Sequence, residues 1–155
     1  MNNNDLLRSL QHVLKLSQAN MTDIFKLAQQ TVAPAAVADM LKDAEEPGFM
    51  PCTDSLASHF LDGLISYRRG SPEKSKPAPA PSAAALDNNT ILKKLRIAFD
   101  LKEDDLIELM SLAEYDTSKS EISAIFRKPG NKHYRLCSDD FLMGLLIGLT
   151  FRTWS

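Results

Sequence analysis

The residues best suited to chemistry occur twice. Cys52 and Asp54 lie in CTDSLASHFLDGLI, residues 52–65, and Cys137 and Asp139 in CSDDFLMGLLIGLT, residues 137–150, at one spacing of 85 residues. A cysteine just ahead of a helix N-terminus is placed where a thiol pKa can fall, as a nucleophile or a redox sensor requires. Nucleophilic catalysis also needs a base held beside the thiol. His12, His59 and His133 align across the same spacing with Ile97, Gly144 and Gly48, so no Cys–His pair is duplicated. Free cysteine is among the most buried residue types. Packing is therefore the reading adopted for both thiols, with a reactive thiol, or a metal or disulfide ligand, as the alternatives.

A second candidate is the acidic run Glu103, Asp104 and Asp105. The first copy has Gln18, Ala19 and Asn20 there, and three adjacent positions cannot all face one ion. Acids at a helix start complement its dipole, which is the reading adopted. The chain has no Gly-rich phosphate loop, no Gly-x-Ser-x-Gly elbow and no His-Glu-x-x-His helix. The expectation is a protein that is not an enzyme and holds neither metal nor cofactor.

The third candidate is a basic surface in the second copy. Lys93, Lys94 and Arg96 lie on the outward side of a helix, and Arg127, Lys128, Lys132, His133 and Arg135 surround a loop with Tyr134, whose ring could stack on a base. The first copy sets Ser9 and Gln11 against Lys94 and Arg96, and Glu45 and Glu46 against Gly130 and Asn131. The formal net charge is −2, without the positive excess of a typical nucleic-acid-binding domain. Phe49, Cys52, Asp54, Tyr134, Cys137 and Asp139, with Lys93, Lys94, Arg96, Arg127, Lys128 and Arg135, form the candidate binding surface.

These residues are positioned by a duplicated helical unit. Residues 3–65 align with 88–150 without a gap, pairing Asn3/Asn88, Asn4/Asn89, Leu7/Leu92, Leu10/Leu95, Leu27/Leu112, Cys52/Cys137, Asp54/Asp139 and Gly63/Gly148. Leu6, Leu7, Leu10, Val13 and Leu14 form an i, i+1, i+4, i+7, i+8 stripe that Ile91, Leu92, Leu95, Ala98 and Phe99 repeat. Asn4 and Asn89 are read as N-caps of these first helices. Second helices are expected over about 20–30 and 103–115, and third helices over about 35–43 and 119–128. Pro34 suits a first helical turn, and Ser118 with Glu121 a capping box. Thr53 and Ser138 are the expected N-caps of the fourth helices. The first of these is amphipathic, with Ser58, Asp62 and Ser66 on its polar side. The second is apolar almost all round, which places 139–152 at the centre of the molecule.

The units are residues 1–70 and 87–155. Between them SPEKSKPAPAPSAAAL, residues 71–86, holds half of the eight prolines and reads as a flexible Pro/Ala-rich tether. The fold expected is all-α, with two similar four-helix units packed as a pseudo-twofold intramolecular dimer. Glycine inside a helix costs about 1 kcal/mol relative to alanine, so Gly63 and Gly148 are expected where the fourth helices approach each other closely.

The N-terminus has no secretory-signal pattern, and the longest uncharged apolar run, Phe141 to Phe151, is too short to span a membrane. With two cysteines only, the expectation is a cytoplasmic protein with reduced thiols and no membrane partner. NNTILKKLRIAFDLKEDDLIELM, with the HYRLCSDDFL and GFMPCTD segments, resembles the YehS-like bacterial proteins, a tandem-repeat family of unknown function (number 1456). The resemblance rests on Asn88, Asn89, Leu92 and Lys93 with Tyr134, Cys137 and Asp139, and on Asn3, Asn4, Leu7 and Arg8 with Phe49, Cys52 and Asp54. It implies bacterial origin and duplicated helical architecture, and no activity. The reading is a non-enzymatic binding or regulatory module whose partner is a protein. The alternative is a nucleic-acid-binding regulator using the second unit's basic surface. Oligomeric state is not legible from the sequence.

Overall fold

A computed structural model describes residues 1–69 and 86–154, and these residues form eight α-helices and no strand. The chain divides into two compact units, Met1–Leu86 and Asp87–Ser155. The expected tether lies outside the described residues except for Leu86.

The first unit contains α1 (Asn3–Leu14), α2 (Gln18–Leu27), α3 (Pro34–Met40) and α4 (Asp54–Arg69). Its start signals are local. Asn2 and Asp5 form a capping box at α1, Ser17 and Asn20 another at α2, Pro34 occupies the first turn of α3, and Thr53 Oγ1 accepts the Leu56 amide at α4. The apolar stripe of α1 buries Leu6, Leu7, Leu10 and Val13 with Met21, Ile24 and Phe25 of α2 and Phe60, Leu61 and Leu64 of α4. The Phe25 and Phe60 rings lie 5.1 Å apart in a tilted pair.

The second unit repeats the plan with α5 (Asn88–Ala98), α6 (Glu103–Leu112), α7 (Lys119–Ile125) and α8 (Asp139–Trp154). Asp87 caps α5, Ser138 Oγ accepts the Phe141 amide at α8, and Ser118 caps α7. Glu121 accepts the Thr117 hydroxyl, so only the Ser118 half of the expected capping box is in place. Tyr115 packs edge-on against Phe141, with ring centroids 5.6 Å apart. The backbone repeats where sequence is not matched. Lys15 and Asp100 after the first helices, and Gln29 and Glu114 after the second, take left-handed φ values of 52°, 51°, 61° and 58°. Each pair is one spacing apart, so the duplication extends to the turns.

Three expectations are corrected. The caps of α1 and α5 are Asn2 and Asp87, while Asn4 and Asn89 lie two residues further on and are only 5% and 4% exposed. The matched glycines serve a close approach inside each unit, between its fourth helix and its second. A Cβ on Gly63 would lie 2.0 Å from the Ile24 carbonyl oxygen of α2, and one on Gly148 2.2 Å from the Leu109 carbonyl oxygen of α6. Each fourth helix thus sits almost backbone to backbone on the second helix of its own unit, where no side chain fits. Finally, α8 is not covered on all sides. It buries Phe141, Leu142, Leu145, Leu146 and Leu149 but exposes Met143, Ile147, Phe151 and Trp154.

Candidate functional site

The duplicated Asn-Asn and Cys-x-Asp elements meet in space, once in each unit. Asn4 is held in α1 with its side chain aimed at the long loop after α3. Its Nδ2 donates to the Met40 carbonyl that ends α3 and to the Met50 carbonyl in the loop, both at 2.9 Å, and its Oδ1 accepts the Cys52 amide at 3.0 Å. Asn89 repeats this set on Ile125, Arg135 and Cys137, at 3.1, 2.9 and 2.8 Å. One buried amide group thus satisfies two carbonyls and one amide that no helix pairs.

The neighbouring asparagine fixes the start of the fourth helix. Asn3 Nδ2 donates to the Cys52 carbonyl at 3.1 Å and to Asp54 Oδ1 at 2.7 Å. Asn88 does the same to Cys137 and Asp139, at 3.1 and 2.6 Å. These bonds hold the Asp54 and Asp139 carboxyls below the usual carboxylate range, the asparagine donor being the largest cause in each. Asp54 also accepts the Leu86 amide at 3.1 Å.

Both thiols are buried. Burial pushes Cys52 and Cys137 up to about 12, and the carboxylates of Asp54 and Asp139 add to the shift. At neutral pH each is a protonated thiol, the opposite of an activated nucleophile. The Cys-x-Asp element is therefore part of a loop staple, with cysteine filling the apolar space beneath it. Phe49 and Tyr134, in the loop before the staple, are half-buried.

The basic candidates divide. Arg96 is committed within its own unit: Nε donates to the Leu101 carbonyl at 2.9 Å and its guanidinium lies 4.6 Å from the centroid of the Phe126 ring. Lys93 and Lys94 are half-buried on α5. Arg127, Lys128, Lys132 and Arg135 are exposed on the loop between α7 and α8, and no acidic residue occurs from 122 to 138. The equivalent loop of the first unit carries Asp43, Glu45 and Glu46, and there Arg8 pairs with Asp43 at 2.7 Å and Lys42 with Asp39 at 2.9 Å. The acids at the start of α6 are shared among cations. Asp105 accepts the Lys102 amide at 2.8 Å and pairs with Arg152 of α8, while Asp104 pairs with Lys119.

One surface was missed. Met143, Ile147, Phe151 and Trp154 recur at i, i+4, i+8 and i+11, which puts them on one face of α8, exposed by 49, 47, 56 and 46%. The residues one spacing earlier, on α4, are Ser58, Asp62, Ser66 and Arg69. That contrast was readable in the aligned copies. An all-round apolar composition suggests a covered helix, but the polar residues at the same positions of α4 show that this face need not be buried.

A family model described as "Protein of unknown function (DUF1456)" matches residues 3–70 and 88–153, one segment for each unit. The chain is similar to the uncharacterized protein YehS of Escherichia coli strain K12, at 40% identity over 149 residues that cover 96% of this chain and 94% of that protein. No solved structure matches.

Proposed function

The chain belongs to the DUF1456 family, and from that premise we propose that it acts as a non-enzymatic helical binding or regulatory module whose partner is a protein. The observation that carries this reading is the apolar stripe on α8. Met143, Ile147, Phe151 and Trp154 form a face about 16 Å long, at a rise of 1.5 Å per residue. Such a face suits the apolar side of another helix, as in helix-in-groove recognition. The buried thiols support the non-enzymatic part, because the duplicated Cys-x-Asp element is used up in holding the loop.

Affinity capture of the tagged full chain from its own host, with and without nuclease, compared with the Ile147→Asp variant, tests the reading. A protein retained after nuclease and lost from the variant is the expected result. Capture that is indifferent to Ile147→Asp refutes the stripe as the binding surface.

A second reading has its own observation, the acid-free loop with exposed Arg127, Lys128, Lys132 and Arg135. Binding of nucleic acid there would weaken steeply with salt. Salt-insensitive or absent binding of mixed oligonucleotides removes it. The two units are further proposed to associate as a pseudo-twofold intramolecular dimer in the cytoplasm. The repeated sequence and the repeated staple support this, since related units tend to meet through equivalent surfaces. Cross-links between the units in single-chain species test it.

A further inference from the structure

We propose that the α8 stripe is an isologous interface between two copies of this chain, in which the α8 helices cross antiparallel about a twofold axis between Ile147 and Phe151. The proposal rests on the reading of that stripe as a protein-binding surface, and it names the occupant.

The first argument is chemical matching. The face carries Met, Ile, Phe and Trp at its exposed positions, so what covers it must offer an apolar face of similar length. The equivalent positions of α4 in the same chain are Ser58, Asp62, Ser66 and Arg69, which do not. The α8 of a second copy does, and a patch that matches itself is what a closed twofold contact requires.

The second argument is register. In an antiparallel pair centred between Ile147 and Phe151, Met143 meets the partner's Trp154 and Ile147 meets the partner's Phe151. Each of the four stripe residues then lies opposite an apolar side chain of the other copy, with thioether against indole and a branched aliphatic chain against a ring. The exposed Asp139 and Asp140 at the N-terminal end of α8 are carried to opposite ends of the interface. A parallel pair would set these four carboxylates side by side and run the two helix dipoles in the same direction.

The third argument is area. Four side chains about half exposed release on the order of 400 Å² per copy and about 800 Å² for the pair, and specific interfaces begin near 1,000 Å². The exposed residues Asp140 and Thr153 beside the stripe supply the rim. The contact is therefore that of a weak, concentration-dependent dimer.

Sedimentation equilibrium of the full chain tests this. The mass is expected to rise from 17.2 kDa toward twice that value between about 1 and 100 µM. Ile147→Asp, with its helical circular dichroism and melting curve retained, stays at the single-chain mass. Mixing Ile147→Cys with Phe151→Cys chains under mild oxidation should give mainly mixed disulfide dimers, and mainly Ile147→Cys self-links overturn the antiparallel register. A wild-type chain that remains a monomer throughout overturns the proposal. If that monomer still captures a different protein through Ile147, the protein-binding reading survives. If it captures none, both fall.

Discussion

Asn89→Asp tests the staple by exchanging one NH2 group for an oxygen. The Asn89 side chain makes three hydrogen bonds in a site only 4% exposed: it donates to Ile125 and Arg135 and accepts from Cys137. Aspartate can keep the bond from the Cys137 amide. It loses both donated bonds and sets a carboxylate oxygen against two carbonyl oxygens that then have no donor. A net hydrogen bond is worth about 1 kcal/mol, and a buried polar group left unpaired costs about 1–3 kcal/mol, so the expected loss at neutral pH is about 3–5 kcal/mol. That is a large part of what a unit of this size can hold. The sign with pH follows from the same geometry. A buried carboxyl facing carbonyls has its folded pKa raised above its unfolded value, so the neutral form suits the fold. Relative to wild type, stability should be best below about pH 4, the unfolded value, and decline as pH rises through the folded value. Below that point the protonated carboxyl can donate one of the two lost bonds. Urea unfolding followed by circular dichroism at neutral and at acid pH measures both effects. A loss under about 1 kcal/mol at neutral pH, or a gap to wild type that ignores pH, would refute the view that this asparagine holds the loop.

Gly148→Ala is expected to lower stability by about 2 kcal/mol, because the added carbon meets the Leu109 backbone and overpacking outweighs the roughly 1 kcal/mol gained in helix propensity. Gly144→Ala comes closest to the terminal methyl of the Met110 side chain, with no backbone in the way, and should change stability by less than about 1 kcal/mol, so equal melting temperatures for the two variants would contradict the close backbone contact. Cys52 and Cys137, raised to about 12, should resist maleimide at neutral pH until urea unfolds the chain. Since the folded thiol pKa lies above the ordinary value of 9.0, their contribution should be complete below pH 9 and be lost as pH rises toward 12, which an alkaline unfolding series reads directly. Asp54 and Asp139 are lowered from 3.8, so their contribution is present above that value and is lost as pH falls through the folded values. Asp54→Asn with Asp139→Asn should flatten the acid limb of the stability profile, and an unchanged limb would count against the Asn3 and Asn88 bonds as its cause.

The duplication, the all-helical class and the order of helices were legible in the sequence, because these rest on apolar spacing and on start signals that act within a few residues. Leu6, Leu7, Leu10 and Val13 needed only their own stripe to be placed in a core, and Ser118, Thr53 and Ser138 only their own first turns to be placed as caps. The tertiary structure decided three matters in which the partner is distant in sequence. Asn4 and Asn89 look like caps to a local reading, since nothing nearby indicates that each reaches 36 to 48 residues along the chain to a loop. Gly63 and Gly148 announce a close approach, but a glycine carries no sign of which helix approaches it, and only the packing names Ile24 and Leu109. The composition of α8 says that its surface is apolar without saying how much is covered. The fold leaves Met143, Ile147, Phe151 and Trp154 outside, because the second unit's other helices cover only the opposite face, and local pattern cannot report which face that is.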